Sequence, residues 1–124
     1  MVAVDTSTLI AFIQGDAGTD VDKFDERLAA NDITLPPIVL SEFLSDPAIP
    51  AQHRALALQL PTIEFADGYW VRAAAIRATI LRQKLRARLP DALIAQSCID
   101  AGTPLITRDR DFRHFAQHCG LTLL

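Results

Sequence analysis

Residues 2–10 read VAVDTSTLI, in which a β-branched run stops at an acid and an apolar helical pattern begins almost at once. The run at residues 2–4 is too short and too uniformly apolar for a half-exposed strand, which predicts a central strand of a parallel sheet, covered on both faces. Asp5 then lies at the carboxyl end of that strand, where open α/β sheets bind ligands. The alternative is that Asp5 or Thr6 only caps the helix that begins near Ser7.

The composition predicts one compact domain. The chain has 124 residues, 50% of them hydrophobic, which suits one substantial core, so we expect residues 1–124 to form a single domain. The chain does not open with a basic leader, and no run approaches the roughly 20 apolar residues of a membrane span, so we expect a soluble, cytoplasmic protein without a membrane partner. Cys98 and Cys119 belong to no CxxC pattern and are predicted to be free, buried thiols.

The charges are distributed unevenly along the chain. Residues 1–67 have a net charge of −8, and residues 68–124 have a net charge of +5. Residues 72–88 contain no acid and six bases, namely Arg72, Arg77, Arg82, Lys84, Arg86 and Arg88. A basic segment attracts phosphates, but these six side chains do not share one helical stripe, so an ordinary solvated helix face explains them slightly better.

Strand-like and helix-like segments alternate along the chain. Strands are predicted at residues 2–4, 33–35, 62–65, 104–107 and 121–124. Helices are predicted from about residue 7 and over residues 20–28, 38–45, 51–60, 68–85, 91–101 and 109–119. We expect Asp67 and Asp91 to cap two of these helices, and Gly102 to end one. The alternation predicts an α/β fold with a mostly parallel central sheet and helices on both faces.

Two acids lie where the helical pattern predicts an apolar face. Glu42 follows Ile38 and Val39 at helical spacing, which places it on or beside the buried side of its helix. Asp91 precedes a run of apolar residues at the same spacing and is therefore expected at the first turn of a buried helix face. A buried carboxylate needs a cation, a cluster of donors or a raised pKa. A favourable interaction with the helix dipole is the simpler explanation for Asp91.

The last predicted strand also ends in a hydroxyl and an acid, Thr107 and Asp109. Asp5 and Asp109 are thus placed equivalently at the carboxyl edge of the sheet, with Glu42 and Asp91 expected nearby. Four crowded carboxylates repel one another unless they hold hard divalent cations, of which Mg²⁺ or Mn²⁺ fits oxygen ligands best. The neighbouring hydroxyls, which are expected to orient the acids or a water molecule, belong to Thr6, Ser7 and Thr107.

Four motifs in this order resemble the PIN domain, and in particular the VapC toxins of bacterial toxin–antitoxin pairs. They are VDTSTLI, VLSEFL, LPDALIAQSCIDAGTPLIT and TRDRDF, and the resemblance extends from Val2 to about Phe115. It implies a Mg²⁺-dependent endoribonuclease that is homodimeric and is inhibited by a cognate VapB-type antitoxin. It also implies an acidic catalytic site made of Asp5, Glu42, Asp91 and Asp109. Asp111 corresponds to a position where the family varies and is ranked fifth.

On this reading Asp5 and Asp91 hold the principal metal ion, and Asp109 is a further ligand or contacts the ion through another ligand. Glu42 completes the site or orients the attacking water. The bound metal lowers the pKa of that water and neutralises charge that builds on the phosphate. Arg108, Arg110 and some of the arginines in residues 72–88 are expected to contact the RNA backbone. A single-stranded loop, as in tRNA or rRNA, suits this site better than a duplex because its bases can splay out.

Other features have simpler explanations. Tyr69 and Trp70 are predicted to pack in the core or at a dimer contact, in preference to stacking on a base. His114 and His118 are predicted to pack along a helix, in preference to forming a metal corner with Asp111. Two other functions remain open, a PIN-fold binding module without catalysis and a receiver-like phosphoacceptor. The receiver needs a lysine at the end of a later strand, where this chain has Thr107 and Arg108.

Overall fold

A computed structural model describes residues 1–124, which form seven helices and three strands. The elements in chain order are β1 (Val2–Val4), α1 (Thr6–Gln14), α2 (Thr19–Ala29), β2 (Ile33–Thr34), α3 (Pro37–Leu44), α4 (Ala51–Gln59), α5 (Tyr69–Arg82), α6 (Leu89–Ala101), β3 (Leu105–Ile106) and α7 (Phe112–Cys119). No helix among them has the length and apolar character needed to cross a bilayer.

The sheet is parallel, with β1 between β2 and β3. Ala3 is in register with Thr34 on one side and with Leu105 on the other. All three residues of β1 are buried, as expected for a strand that is covered on both faces. The predicted α/β fold with a parallel central sheet is therefore confirmed, and the carboxyl ends of β1 and β3 meet at one edge.

Two of the predicted strands, at residues 62–65 and 121–124, do not form. The segments at residues 62–65 and 121–124 each contribute only one isolated parallel bridge, from Thr62 to Leu35 and from Leu123 to Leu105. In the segment after Thr62, Ile63 is buried, whereas Glu64 and Phe65 are both exposed. A segment that buries one side chain gains too little apolar contact to extend a strand ladder.

Two predicted helix caps are also wrong, although their helices form. Gly68, with a φ of +79°, occupies the N-cap position of α5 in place of Asp67. Arg88 occupies the N-cap position of α6, so that Pro90 lies in the first turn, where proline is well tolerated. Asp91 consequently lies inside the helix and is buried.

The hydrophobic core is one cluster of 22 buried residues, and α6 runs through it. Ala92, Ile94, Ala95 and Cys98 of this helix are buried, and the helix packs against α3, α5 and α7. Both cysteines are free; Cys98 is buried and Cys119 is half-buried. Gly102 ends α6 in the left-handed conformation, as predicted. The core thus fixes the helix that carries Asp91 among three other helices.

Candidate functional site

Asp5 follows the central strand and is 5% exposed. It occupies the N-cap position of α1, but its side chain makes no capping hydrogen bond. Instead Oδ2 accepts hydrogen bonds from the hydroxyl of Ser7 at 2.7 Å and from that of Thr107 at 2.9 Å. Neither of these bonds involves Oδ1. Burial raises the pKa of Asp5 above its ordinary value, and the two hydroxyl donors oppose that rise.

Asp91, Asp109 and Asp111, here called the acidic trio, come together beside Asp5. One carboxylate oxygen from each acid lies within 4.8 Å of the other two. Asp91 comes from the first turn of α6, whereas Asp109 and Asp111 come from the segment between β3 and α7. That segment is internally bonded, because the amide of Asp111 donates to Oδ1 of Asp109 at 2.9 Å and the amide of Asp109 donates to Oγ1 of Thr107 at 3.0 Å.

Asp91 is the buried acid of the trio. Burial raises its pKa to about 6, and the positive charge of Arg88 opposes that rise. The negative charges of Asp109 and Asp5 raise the pKa further, because each disfavours a second charge nearby. A cation that binds among these acids would therefore favour the ionised form of Asp91.

Glu42 lies beside the buried face of α3. The buried stripe of α3 is formed by Val39 and Phe43, and Glu42 lies outside it with an exposed side chain. Its Oε1 accepts a hydrogen bond of 2.8 Å from the hydroxyl of Thr6, the residue after Asp5. Of the two positions that the spacing allowed, on the buried side of the helix or beside it, Glu42 therefore takes the second, because one position along the helix moves a side chain from the core to its edge. Glu42 is not part of the acidic trio but is joined to its surroundings through Thr6.

The arginines around the site divide into two kinds. Arg86 and Arg88, in the loop between α5 and α6, lie against the acidic trio. Arg108 instead binds Asp20, with its Nε at 2.8 Å from Oδ2 and its Nη2 at 3.1 Å from Oδ1. The structure thus gives Arg108 a protein partner, whereas the exposed Arg110 side chain makes no ion pair or hydrogen bond.

The donor set of the acidic trio suits a hard cation. Mg²⁺ binds oxygen ligands at about 2.0–2.1 Å, so two oxygens on one ion are at most about 4.2 Å apart. The trio spans up to 4.8 Å, so direct ligation by all three acids requires a small closure, or one acid binds through a water, which Mg²⁺ commonly retains. His114 and His118 lie outside this group, which leaves a set of oxygen ligands that does not favour zinc.

An apolar groove of about 430 Å³ lies beside Glu42. Its lining includes the exposed rings of Phe65 and Trp70, whose centroids are 5.2 Å apart. Tyr69 is buried beneath them, and its hydroxyl donates a 2.6 Å hydrogen bond to the backbone oxygen of Leu93. The expected core role therefore fits Tyr69, whereas Trp70 is 61% exposed.

Two residues are more central to the site than the sequence motifs indicate. Asp111 ranks below the other acids in the motifs, but its position two residues after Asp109 in a turn brings both carboxylates to one place. Arg88 is one base among six in its segment, but it stands three residues before Asp91, a spacing at which helical side chains meet. In both cases the signal is a local spacing in the sequence.

Comparison with known proteins places the chain in a family. The model of the PIN domain matches residues 2–117. Among solved structures, one similar to this chain is VapBC2 from Rickettsia felis bound to a DNA fragment from their promoter, with a TM-score of 0.73 and 22% identity over 100% of this chain and 98% of that one. Another is VapBC-5 from Mycobacterium tuberculosis, with a TM-score of 0.68 and 20% identity over 99% of this chain and 96% of that one. No protein with a curated description matches. Because the family model spans nearly the whole chain, this protein belongs to the PIN domain family.

Proposed function

We propose that this protein is a divalent-metal-dependent endoribonuclease that acts as the toxin of a toxin–antitoxin pair. The observation that carries the proposal is the convergence of Asp91, Asp109 and Asp111 within 4.8 Å at one edge of a PIN domain. Such a cluster of carboxylates destabilises the protein unless a cation binds it, and the burial of Asp91 increases that effect.

Mg²⁺, or Mn²⁺ in its place, would be held by Asp91 and Asp109, with Asp111 as a third acid. Asp5, whose Oδ1 receives neither hydroxyl, would be a further ligand. When bound, the metal supplies a water of lowered pKa and neutralises charge on the phosphate. Ser7 and Thr107 fix the orientation of Asp5 through its other oxygen. Glu42, whose Oε1 accepts the hydroxyl of Thr6, would orient a water molecule at the rim.

The proposed substrate is RNA with single-stranded loops, such as tRNA or rRNA. The acidic trio repels a polyanion until a cation bridges the two, so cleavage requires the metal. Arg110, which is exposed, and Arg88, once it leaves its acidic partners, would contact phosphates, and such contacts contribute affinity more than sequence choice.

The decisive experiment is incubation of the purified protein with total RNA, followed by mapping of new 5′ ends. We expect cleavage with Mg²⁺ and none with a chelator. Asp91→Asn should abolish cleavage, whereas the matched control Asp22→Asn, which removes an exposed acid of α2, should retain it. Cleavage by Asp91→Asn at the wild-type rate would refute the proposed site.

An inactive PIN-fold binding module is the alternative that this experiment excludes, because such a module would leave the RNA intact under every condition. The receiver-like alternative has lost its support, since the chain belongs to the PIN domain family.

The proposed partner is a VapB-type antitoxin, supported by the likeness of the fold to chains of two VapBC complexes. Co-expression with the product of an adjacent small reading frame should give a stable complex in which cleavage is inhibited.

We also propose a homodimer, supported by the exposed apolar side chains of Trp70 and Val71 near the start of α5. Light scattering should then give a mass near twice the 13.6 kDa of one chain.

A further inference from the structure

Two arginines of the loop between α5 and α6 face the acidic trio. Nε of Arg88 lies 3.4 Å from Oδ2 of Asp91, and its Nη2 lies 3.5 Å from Oδ2 of Asp109. Nε of Arg86 lies 3.7 Å from Oδ2 of Asp111. Each carboxylate of the acidic trio is therefore within 4 Å of a guanidinium of the same chain.

These contacts differ from the other arginine pairs of the protein. Arg72 donates two hydrogen bonds to Asp100, of 2.6 and 3.1 Å. Arg108 donates two to Asp20, of 2.8 and 3.1 Å. Arg88 makes one long contact with each of two acids, and its side chain is 55% exposed. Short bidentate pairs hold their geometry, whereas long contacts of an exposed arginine contribute little and exchange readily.

The position of Arg88 conflicts with that of a metal ion. Its guanidinium bridges Asp91 and Asp109, whose oxygens a divalent cation would also need, and two positive groups at such a distance repel each other. Arg88 is also the N-cap residue of α6, so the helix holds its backbone close to Asp91 even when the Arg88 side chain turns away. A displaced guanidinium therefore remains at the rim of the site, and its planar fork matches a phosphate group.

We propose that Arg88 is an exchangeable counter-ion, which holds Asp91 and Asp109 before metal binds and turns to an RNA phosphate afterwards. This inference rests on the proposed function and adds a substrate-binding residue to it. Arg86 assists at Asp111 from a greater distance.

The first test is titration of the full chain with Mn²⁺ in a calorimeter, for the wild type, Arg88→Gln and Arg82→Gln. Arg82 is the matched control, because it is exposed, forms no ion pair, and its one side-chain hydrogen bond is to Thr79 at 3.3 Å. Arg88→Gln should bind Mn²⁺ about threefold to tenfold more tightly, since no side chain has to be displaced. Arg82→Gln should stay within about twofold of the wild type, because a distant exposed charge is screened.

The second test measures the affinity for a short fluorescent single-stranded RNA, with Ca²⁺ in place of Mn²⁺ and a gel to confirm that the RNA stays intact. Arg88→Gln should bind the RNA more weakly, and the slope of log affinity against log salt should fall by about 0.7, the value for one phosphate contact with a single strand. Arg88→Lys keeps the charge and should restore most of both properties. A purely structural role for Arg88 would instead weaken the binding of Mn²⁺ and RNA together.

Two outcomes separate this inference from the proposed function. If Arg88→Gln binds Mn²⁺ no more tightly than the wild type, or RNA no more weakly, the inference is overturned while the nuclease proposal stands. If the wild-type protein binds no Mn²⁺, both are overturned.

Discussion

The hydroxyl of Thr107 donates a 2.9 Å hydrogen bond to Oδ2 of Asp5, which joins residues 102 positions apart in the chain. The same Oγ1 accepts the amide of Asp109 at 3.0 Å. One side chain at the end of β3 therefore orients the buried acid after β1 and fixes the turn that carries Asp109. This contact ties the central strand to the acidic trio.

Replacement of Thr107 by valine should disturb both acids. A hydrogen bond to a charged group contributes about 1.5–3 kcal/mol, so we expect Thr107→Val to lower the free energy of unfolding by about that amount. Cleavage of RNA should fall at least about tenfold, because small displacements of reacting groups are costly. Urea unfolding and initial cleavage rates measure the two effects.

Thr107→Ser is the matched control, since it keeps the hydroxyl and removes only a methyl group. It should retain most of the stability and most of the cleavage rate. Valine lacks the hydroxyl and serine keeps it, so losses in the valine variant no larger than those in the serine variant would contradict the role assigned to these hydrogen bonds.

The pH dependence of stability should reveal the raised pKa of Asp91. Its pKa is about 6 in the folded protein against an ordinary value of 3.8, so the folded state takes up a proton first as the pH falls. The metal-free protein should therefore become more stable, by about 1–2 kcal/mol, between about pH 7 and about pH 5. Asp5, whose pKa is also raised, acts in the same direction.

Acids with lowered pKa values have the opposite effect on the free energy of unfolding, but at lower pH. Asp20, Asp32 and Asp100 have lowered pKa values, so their contribution to stability is lost mainly below the ordinary value of 3.8. Asp91→Asn should flatten the rise between pH 7 and 5 and should stabilise the metal-free protein at pH 7. A wild-type protein whose stability falls steadily over that interval would contradict the assignment. Urea unfolding without metal, at closely spaced pH values, gives the answer.

Arg108 and Asp20 should behave as a structural clamp. Their two hydrogen bonds connect the segment after β3 to the start of α2, and a Cβ atom at Gly18 would lie 2.8 Å from Nη2 of Arg108. In a double-mutant cycle, Arg108→Ala and Asp20→Ala should show a coupling of about 1 kcal/mol in unfolding free energy. RNA affinity should fall equally in both single variants. A loss of RNA affinity in Arg108→Ala alone would assign Arg108 to phosphate binding, as the sequence suggested.

Asp111 should affect metal binding more than the chemical step. Its carboxylate belongs to the acidic trio but is more exposed than that of Asp91. We expect Asp111→Asn to raise the Mg²⁺ concentration for half-maximal cleavage about tenfold, with a smaller effect at saturating metal. Metal titrations of the cleavage rate measure this directly. An unchanged midpoint would remove Asp111 from the metal site.

Much of the fold was predictable because its signals are local. The uniformly apolar β1, the proline at the start of α3 and the left-handed Gly102 after α6 each specify their element through nearby residues. The edge segments were not predictable in the same way. Whether Thr62 begins a strand or forms a single bridge depends on how much of the next few residues the rest of the fold covers.

The site was predictable in composition but not in detail. Acids that end strands or open a buried helix face are conspicuous, which is how Asp5, Asp91 and Asp109 were found. The exposure of Glu42 depends on the crossing of α3 with α1, and the partner of Arg108 depends on where the loop before α2 passes. These are relations between distant segments, which periodicity does not encode.

The central claim is that Asp91, Asp109 and Asp111 bind one divalent cation. Crystals grown without metal and then soaked in Mn²⁺ test it most directly, because the anomalous signal locates the ion without reference to activity. We predict a single strong peak within ligand distance of Asp91 and Asp109, with the side chain of Arg88 turned away from them. A well-ordered site with no peak among these carboxylates at saturating Mn²⁺ would contradict the account.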